Sequence, residues 1–180
     1  MPFLDSLKNT LNKMFAPEPG QGPGKAAASA APKRVLAPTQ GWVFPLNKSA
    51  DPAHQEEILG KGVCIMPLDG KLVAPFDGIV DMIFDTKHAV NLKSTTGLEV
   101  LIHCGIDTVK LDGKGFTLHV QEGDTIKTGQ LLLEYDGDVV TNAGYSLETQ
   151  VVVTNTAEFK SVTQMKTGDC MPGDLILEIE

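Results

Sequence analysis

From residue 33 onward the chain is written in short stretches of alternating apolar and polar positions, broken at close intervals by Gly, Pro, Asn and Asp. Such runs fall at 62–65, 79–84, 89–93, 99–103, 117–120, 131–135 and 150–154. Many short strands separated by turn residues predict an all-β domain, an antiparallel sandwich or barrel. Only 51–59 and 139–143 have a composition that could hold a helical turn.

Two internal echoes sharpen that expectation. Val35-Leu36-Ala37-Pro38 leading to Gly41-Trp42-Val43 is answered by Leu72-Val73-Ala74-Pro75 leading to Gly78-Ile79-Val80. Each copy reads as strand, turn, strand, because Pro cannot donate to a ladder and Gly supplies the backbone freedom of a tight turn. Later, Gly123-Asp124 followed by Gly129 and Leu131-Leu132-Leu133-Glu134 is echoed by Gly168-Asp169 followed by Gly173 and Leu175-Ile176-Leu177-Glu178. The two pairs predict a duplicated hairpin unit related by a pseudo-two-fold axis.

Ahead of this domain the pattern changes. Phe3, Leu4, Leu7, Leu11, Met14 and Phe15 recur at three- and four-residue spacing, which predicts an amphipathic helix over 1–15. It could dock on its own domain or serve as a weak, partly electrostatic membrane-surface anchor. Residues 16–32 are rich in Pro, Gly and Ala without apolar periodicity, the composition of a flexible linker. The folded domain is expected over 33–180.

Composition narrows the class. A chain of 180 residues with 42% hydrophobic content suits one well-buried core. No run approaches the roughly 20 apolar residues that span a bilayer, so the cytosol is the expected compartment. Cys64, Cys104 and Cys170 are widely spaced and odd in number, which suggests reduced thiols rather than a disulfide framework. A formal charge of −8 and a pI near 4.9 argue against nucleic acid and favour a basic protein partner.

Four histidines are candidates for chemistry. His119 sits within a strand and reads as structural or superficial, and His54 lies in a polar segment that could be surface or binding rim. His88 and His103 each end a predicted strand. A lone histidine is more often structural, but adjacent antiparallel strands can bring two onto one face. Facing imidazoles with a carboxylate such as Asp107 could bind zinc. A neutral ring nitrogen could instead accept a phosphoryl group while the second imidazole bonds its oxygens. The nucleophile's other nitrogen then needs an orienting partner, for which a backbone carbonyl near Gly105 is available, and Thr86 could orient His88. A zinc peptidase of this kind wants a His-x-His element that the chain lacks, and a biotin or lipoate carrier wants a tip lysine flanked by methionines, which Met165-Lys166 only half supplies.

Val35-Leu36-Ala37-Pro38, Leu59-Gly60-Lys61-Gly62-Val63, Ala74-Pro75-Phe76-Asp77-Gly78, Thr86-Lys87-His88-Ala89 and His103-Cys104-Gly105-Ile106-Asp107-Thr108-Val109, followed by Gly113-Lys114-Gly115-Phe116, resemble the glucose-class enzyme IIA of the bacterial phosphoenolpyruvate-dependent sugar phosphotransferase system. The resemblance runs from about residue 33 to the C-terminus. It implies that His103 is phosphorylated, that His88 is its hydrogen-bonding neighbour and that Thr86 fixes the His88 ring. It implies a phosphocarrier without a cofactor, which takes phosphate from the histidine phosphocarrier protein and passes it to a cysteine of a IIB domain. The partner rim would fall on Phe84, Ile58, Leu59 and Val109, with the carboxylates of Asp51 and Asp107 meeting basic residues of the donor. His54 and Leu101 stand where relatives commonly carry aromatics, and Lys87 where many carry Asn. Two other readings are a regulatory module whose partners depend on His103 phosphorylation and, as a variant, a zinc ion bridging His88 and His103.

Overall fold

The computed structural model describes residues 33–180; the helix expected over 1–15 and the linker expected over 16–32 lie outside the described residues. The alternating segments assemble into one eight-stranded and two three-stranded antiparallel sheets. The large sheet runs in the order β13 (Gly168–Cys170), β2 (Gly41–Pro45), β3 (Lys61–Pro67), β11 (Ser146–Val153), β7 (Glu99–Ile106), β6 (Ala89–Ser94), β5 (Gly78–Ile83) and β9 (Thr125–Ile126). One small sheet is β1 (Lys33–Leu36), β14 (Leu175–Ile179) and β12 (Val162–Gln164); the other is β4 (Lys71–Val73), β10 (Leu131–Tyr135) and β8 (Phe116–Leu118). The sandwich alternative holds, and the sheets do not close into a barrel.

The sequence echoes map onto the topology. β1 pairs with β14 and β2 with β13, while their counterparts β4 and β5 pair with β10 and β9. At the centre the two Ala-Pro corners bond each other reciprocally: the Leu36 N–H donates to the Pro75 carbonyl at 3.2 Å and the Val73 N–H to the Pro38 carbonyl at 2.8 Å. Each corner is also closed by its own half, Gly173 donating to Ala37 and Gly129 to Ala74. The repeated unit is therefore a corner whose two arms enter different sheets, which suits a proline that can pair with neither.

One face of the large sheet, through Val43, Val63, Ile65, Val80, Leu92, Val100, Ile102 and Val151, packs against Val35, Leu72, Leu132, Leu133, Ile176 and Leu177 of the small sheets. Period-two alternation places the intervening residues of β3, β7 and β11 on the opposite face. There a second, smaller cluster of Leu46, Cys64 and Val152, with Phe44 and Leu59 packed against it, is buried.

Helical turns occur at α1 (Pro52–Gln55) and α2 (Gly137–Asn142), inside or beside the two segments expected to hold them. Asp51 caps α1, its Oδ1 accepting from the Ala53 N–H at 2.8 Å, and Pro52 occupies the first turn, where its missing N–H is harmless. Three 3-10 turns, Leu46–Lys48, Thr108–Leu111 and Thr156–Glu158, were not expected, because a single turn carries no periodic apolar face to recognise. Among the described residues no helix is long and apolar enough to cross a membrane.

Candidate active site

His103 lies on the outer face of β7, with Ala89 of β6 opposite on one side and Gln150 of β11 on the other. Cross-strand neighbours are within side-chain reach, and His103 Nδ1 is 3.0 Å from Gln150 Oε1. The orientation of that amide is decided by Glu148, whose backbone carbonyl and Oε1 each accept from Gln150 Nε2 at 3.1 Å. A flipped amide would set an oxygen against two acceptors. The oxygen therefore faces the histidine, and His103 Nδ1 must carry the hydrogen. Glu148 is held in turn by the Ser49 hydroxyl and the Ala50 N–H, and takes a longer contact from Cys64 Sγ at 3.5 Å.

This network corrects the expected orientation of His103. No carbonyl near Gly105 bonds the ring; the partner is the Gln150 side chain. Gly105 has a steric role instead. At φ 83° it turns the chain, and a Cβ there would sit 2.4 Å from Thr108 Cγ2 and 2.7 Å from the Ser146 carbonyl oxygen. Thr108 packs into that space and donates to the Cys104 carbonyl at 2.6 Å.

His88 reaches the same place by a break in the ladder. Since Ala89 pairs with His103, an uninterrupted strand would send His88 to the other face. It stands just before β6, after Lys87 at φ 59°. Its ring ends 4.8 Å from that of His103, the planes at 88°. His88 Nδ1 is 2.6 Å from Thr86 Oγ1, and Phe84 packs on the ring edge-on at 5.7 Å. Neither His88 nor His103 has a hydrogen-bond partner at Nε2 among the described residues, yet these nitrogens are not sealed from solvent, unlike those of His54. Burial pushes His88 down to about 4. It pushes His103 down to about 3, helped by repulsion from His88 and His54. Both rings are thus neutral at physiological pH.

The third imidazole, expected at the surface or on a binding rim, is instead buried against His103. His54 is 1% exposed, and its ring lies 5.4 Å from that of His103. Its neighbours Asp51, Gln55, Glu56 and Glu57 read as a solvated segment, but 46–59 folds down over the outer face of the sheet and carries His54 inward. Asp51 Oδ2 is 3.2 Å from His54 Nδ1, out of line for a hydrogen bond, so both ring nitrogens are buried without a partner. An unsatisfied buried polar group costs about 1–3 kcal/mol. Gln150 and Glu148 also went unrecognised, although the alternation of Glu148, Gln150 and Val152 in a central strand signals a polar outer face.

The expected rim is distributed differently. Ile58 is 42% exposed, and Phe84 and Val109 are half-buried. Leu59 is packed into the small outer cluster. Asp51 is a correction: it is buried as the α1 cap and faces His54, so it is not an exposed carboxylate for a basic partner. Burial alone would raise its carboxyl, but His54 and the Ala53 N–H hold it below the usual range. Asp107, at φ 63°, pairs with Lys110 at 3.0 Å on the following turn. Lys87 is exposed and Leu101 fully buried. His119 bonds Glu134 at 2.8 Å, apart from the other three rings. Among the described residues no group of three or more His, Cys, Asp or Glu is placed to hold a metal ion.

Residues 33–159 match the family described as the phosphoenolpyruvate-dependent sugar phosphotransferase system, EIIA 1. The chain belongs to this family. It is 44% identical over 142 residues to the PTS system beta-glucoside-specific EIIBCA component of Dickeya chrysanthemi, a match that covers 79% of this chain and 22% of that relative. The chain thus spans about a fifth of that relative's length. Among solved structures, the glucose permease IIA from Mycoplasma capricolum superposes with a TM-score of 0.77 at 30% identity, covering 83% of this chain and 96% of the other. The sandwich described above is therefore an EIIA domain, and its family works in phosphoryl-driven sugar transport.

Proposed function

We propose that this EIIA domain carries a phosphoryl group on His103 Nε2, between a phosphohistidine donor and a cysteine of a IIB domain. The observation that carries the reading is the pinned tautomer: Gln150 holds the hydrogen on Nδ1, and the lone pair is left on Nε2, beside a second neutral imidazole. In the first transfer the P–N bond of the donor breaks as a P–N bond to Nε2 forms. The His103 ring, keeping its Nδ1 hydrogen, becomes an N-phosphorylated imidazolium; in the second transfer a thiolate takes the phosphorus as the P–N bond breaks, and the ring leaves as neutral imidazole, its electron pair back on Nε2. Thr86 donates its hydroxyl hydrogen to His88 Nδ1, and the His88 hydrogen sits on Nε2, able to bond a phosphoryl oxygen. Positioning and charge stabilisation supply the catalysis.

The donor is a histidine phosphocarrier protein, whose basic surface suits the acidic chain. Ile58, Phe84 and Val109 form its apolar footing. The domain acts in the cytoplasm. Incubation with phosphoenolpyruvate and the general phosphotransferase components should yield an acid-labile, base-stable phosphoprotein. His103→Gln should not label, while His88→Gln should label and pass the group on poorly. Labelling of His103→Gln but not of His88→Gln would reverse the two roles.

A further inference from the structure

We propose that His54 and Asp51 form a second clamp on the phosphoryl group, in which His54 Nε2–H bonds a phosphoryl oxygen and Asp51 accepts from His54 Nδ1–H. The inference rests on the carrier reading and adds a group that no family resemblance supplies. Its basis is a mismatch between burial and bonding. His54 is shut away from water at 1% exposure, its ring is 5.4 Å from the His103 ring, and neither of its nitrogens has a partner. A ring whose two buried nitrogens are unpaired in the free domain finds a partner for each once both carry hydrogen and a ligand rich in acceptor oxygens arrives beside it.

Asp51 is already set for the other half of the clamp. The Ala53 N–H anchors its Oδ1, which leaves Oδ2 at 3.2 Å from His54 Nδ1. With a phosphoryl dianion on His103, His54 takes one proton from solvent to become an imidazolium between phosphoryl and carboxylate. The titratable groups around His54 are Asp51, His103 and, beyond it, His88; Glu148 and Cys64 face each other, and Glu148 is taken up by Ser49, Ala50 and Gln150. None of these can take the place of Asp51 at Nδ1.

The test is ring-nitrogen NMR on the full 15N-labelled chain, before and after phosphorylation by phosphoenolpyruvate and the general components. Both His54 nitrogens should move to the protonated range in the phosphoprotein, and His54→Phe should shift the phosphorylation equilibrium with the donor about tenfold toward the free domain. Asp51→Asn should leave His54 neutral in the phosphoprotein. A His54 ring that stays neutral when His103 is phosphorylated overturns the clamp, as does an unchanged equilibrium in a folded His54→Phe protein. If His54→Phe does not fold, the wild-type spectra decide alone. Failure of the wild-type chain to take up phosphate at all would instead remove the carrier reading.

Discussion

The two faces of β7 are buried almost equally and do opposite work. On the inner face Val100, Ile102 and Cys104 sit among the apolar side chains of the small sheets. On the outer face Leu101 and His103 are 2% and 4% exposed, but His103 is held by a chain of hydrogen bonds through Gln150 and Glu148 to Ser49. Depth of burial does not separate core from site here. What separates them is the bonding of the buried polar groups: on the inner face the Thr149 hydroxyl opposite Cys104 is taken up locally by the Leu147 carbonyl, and the outer face uses its polar groups to choose a tautomer. Both faces lower polarity around the imidazoles, and that keeps their nitrogens unprotonated and nucleophilic at neutral pH.

The comparison is broken most completely by His103→Gln, which should abolish phosphoryl labelling while a thermal melt still shows a cooperative transition. Its counterpart one residue away, Ile102→Ala, should reverse the pattern. A cavity in the inner core should lower stability by about 3 kcal/mol, read by urea titration, with labelling retained in the folded fraction. Acid should act on the outer face. The unfolded chain protonates its histidines near 6.5, whereas His103 and His88 resist until about 3 and about 4, so the unfolded state binds more protons between these limits. Stability should therefore fall as pH drops below 6.5, by about 2 kcal/mol for each ring at pH 5. A double His88→Gln, His103→Gln protein should show a flatter profile over that range. The smallest effect is expected of Gln150→Ala, which frees His103 to place its hydrogen on either nitrogen. Losing the orienting bond should slow labelling about tenfold, measured as an initial rate, and the cavity and unpaired groups left behind should lower the melting temperature by less than Ile102→Ala does.

Much of the fold was legible because it rests on local rules. Alternation locates the seven anticipated strands, and the paired Ala-Pro segments carry the pseudo-symmetry in the sequence itself. The placement of His88 and His103 near one another could be read too, since each ends a strand beside a turn. The segment that covers the site could not. His54 and Asp51 are surrounded in sequence by Gln and Glu, and only the packing of 46–59 on the outer face turns a hydrophilic stretch into a buried wall. In sequence Gln150 reads simply as the start of a strand. Its role depends on being opposite His103 in the ladder, a register that the sequence of neither strand states. The same limit applies to Asp51, whose carboxylate looked like a partner contact until its cap and its histidine were seen together.

The corner at Pro38 has a consequence for how the chain is made. β1 pairs with β14 alone, and β2 is flanked on one side by β13. As the polypeptide leaves the ribosome, residues 33–36 have no strand partner among the described residues until 175–179 have emerged, nearly the full length of the domain later. The half that begins first is completed last. Contacts so distant along the chain slow folding and leave strand edges open in the meantime, so the corner built from β4, β5, β9 and β10 has its partners first and can form while its twin is still waiting.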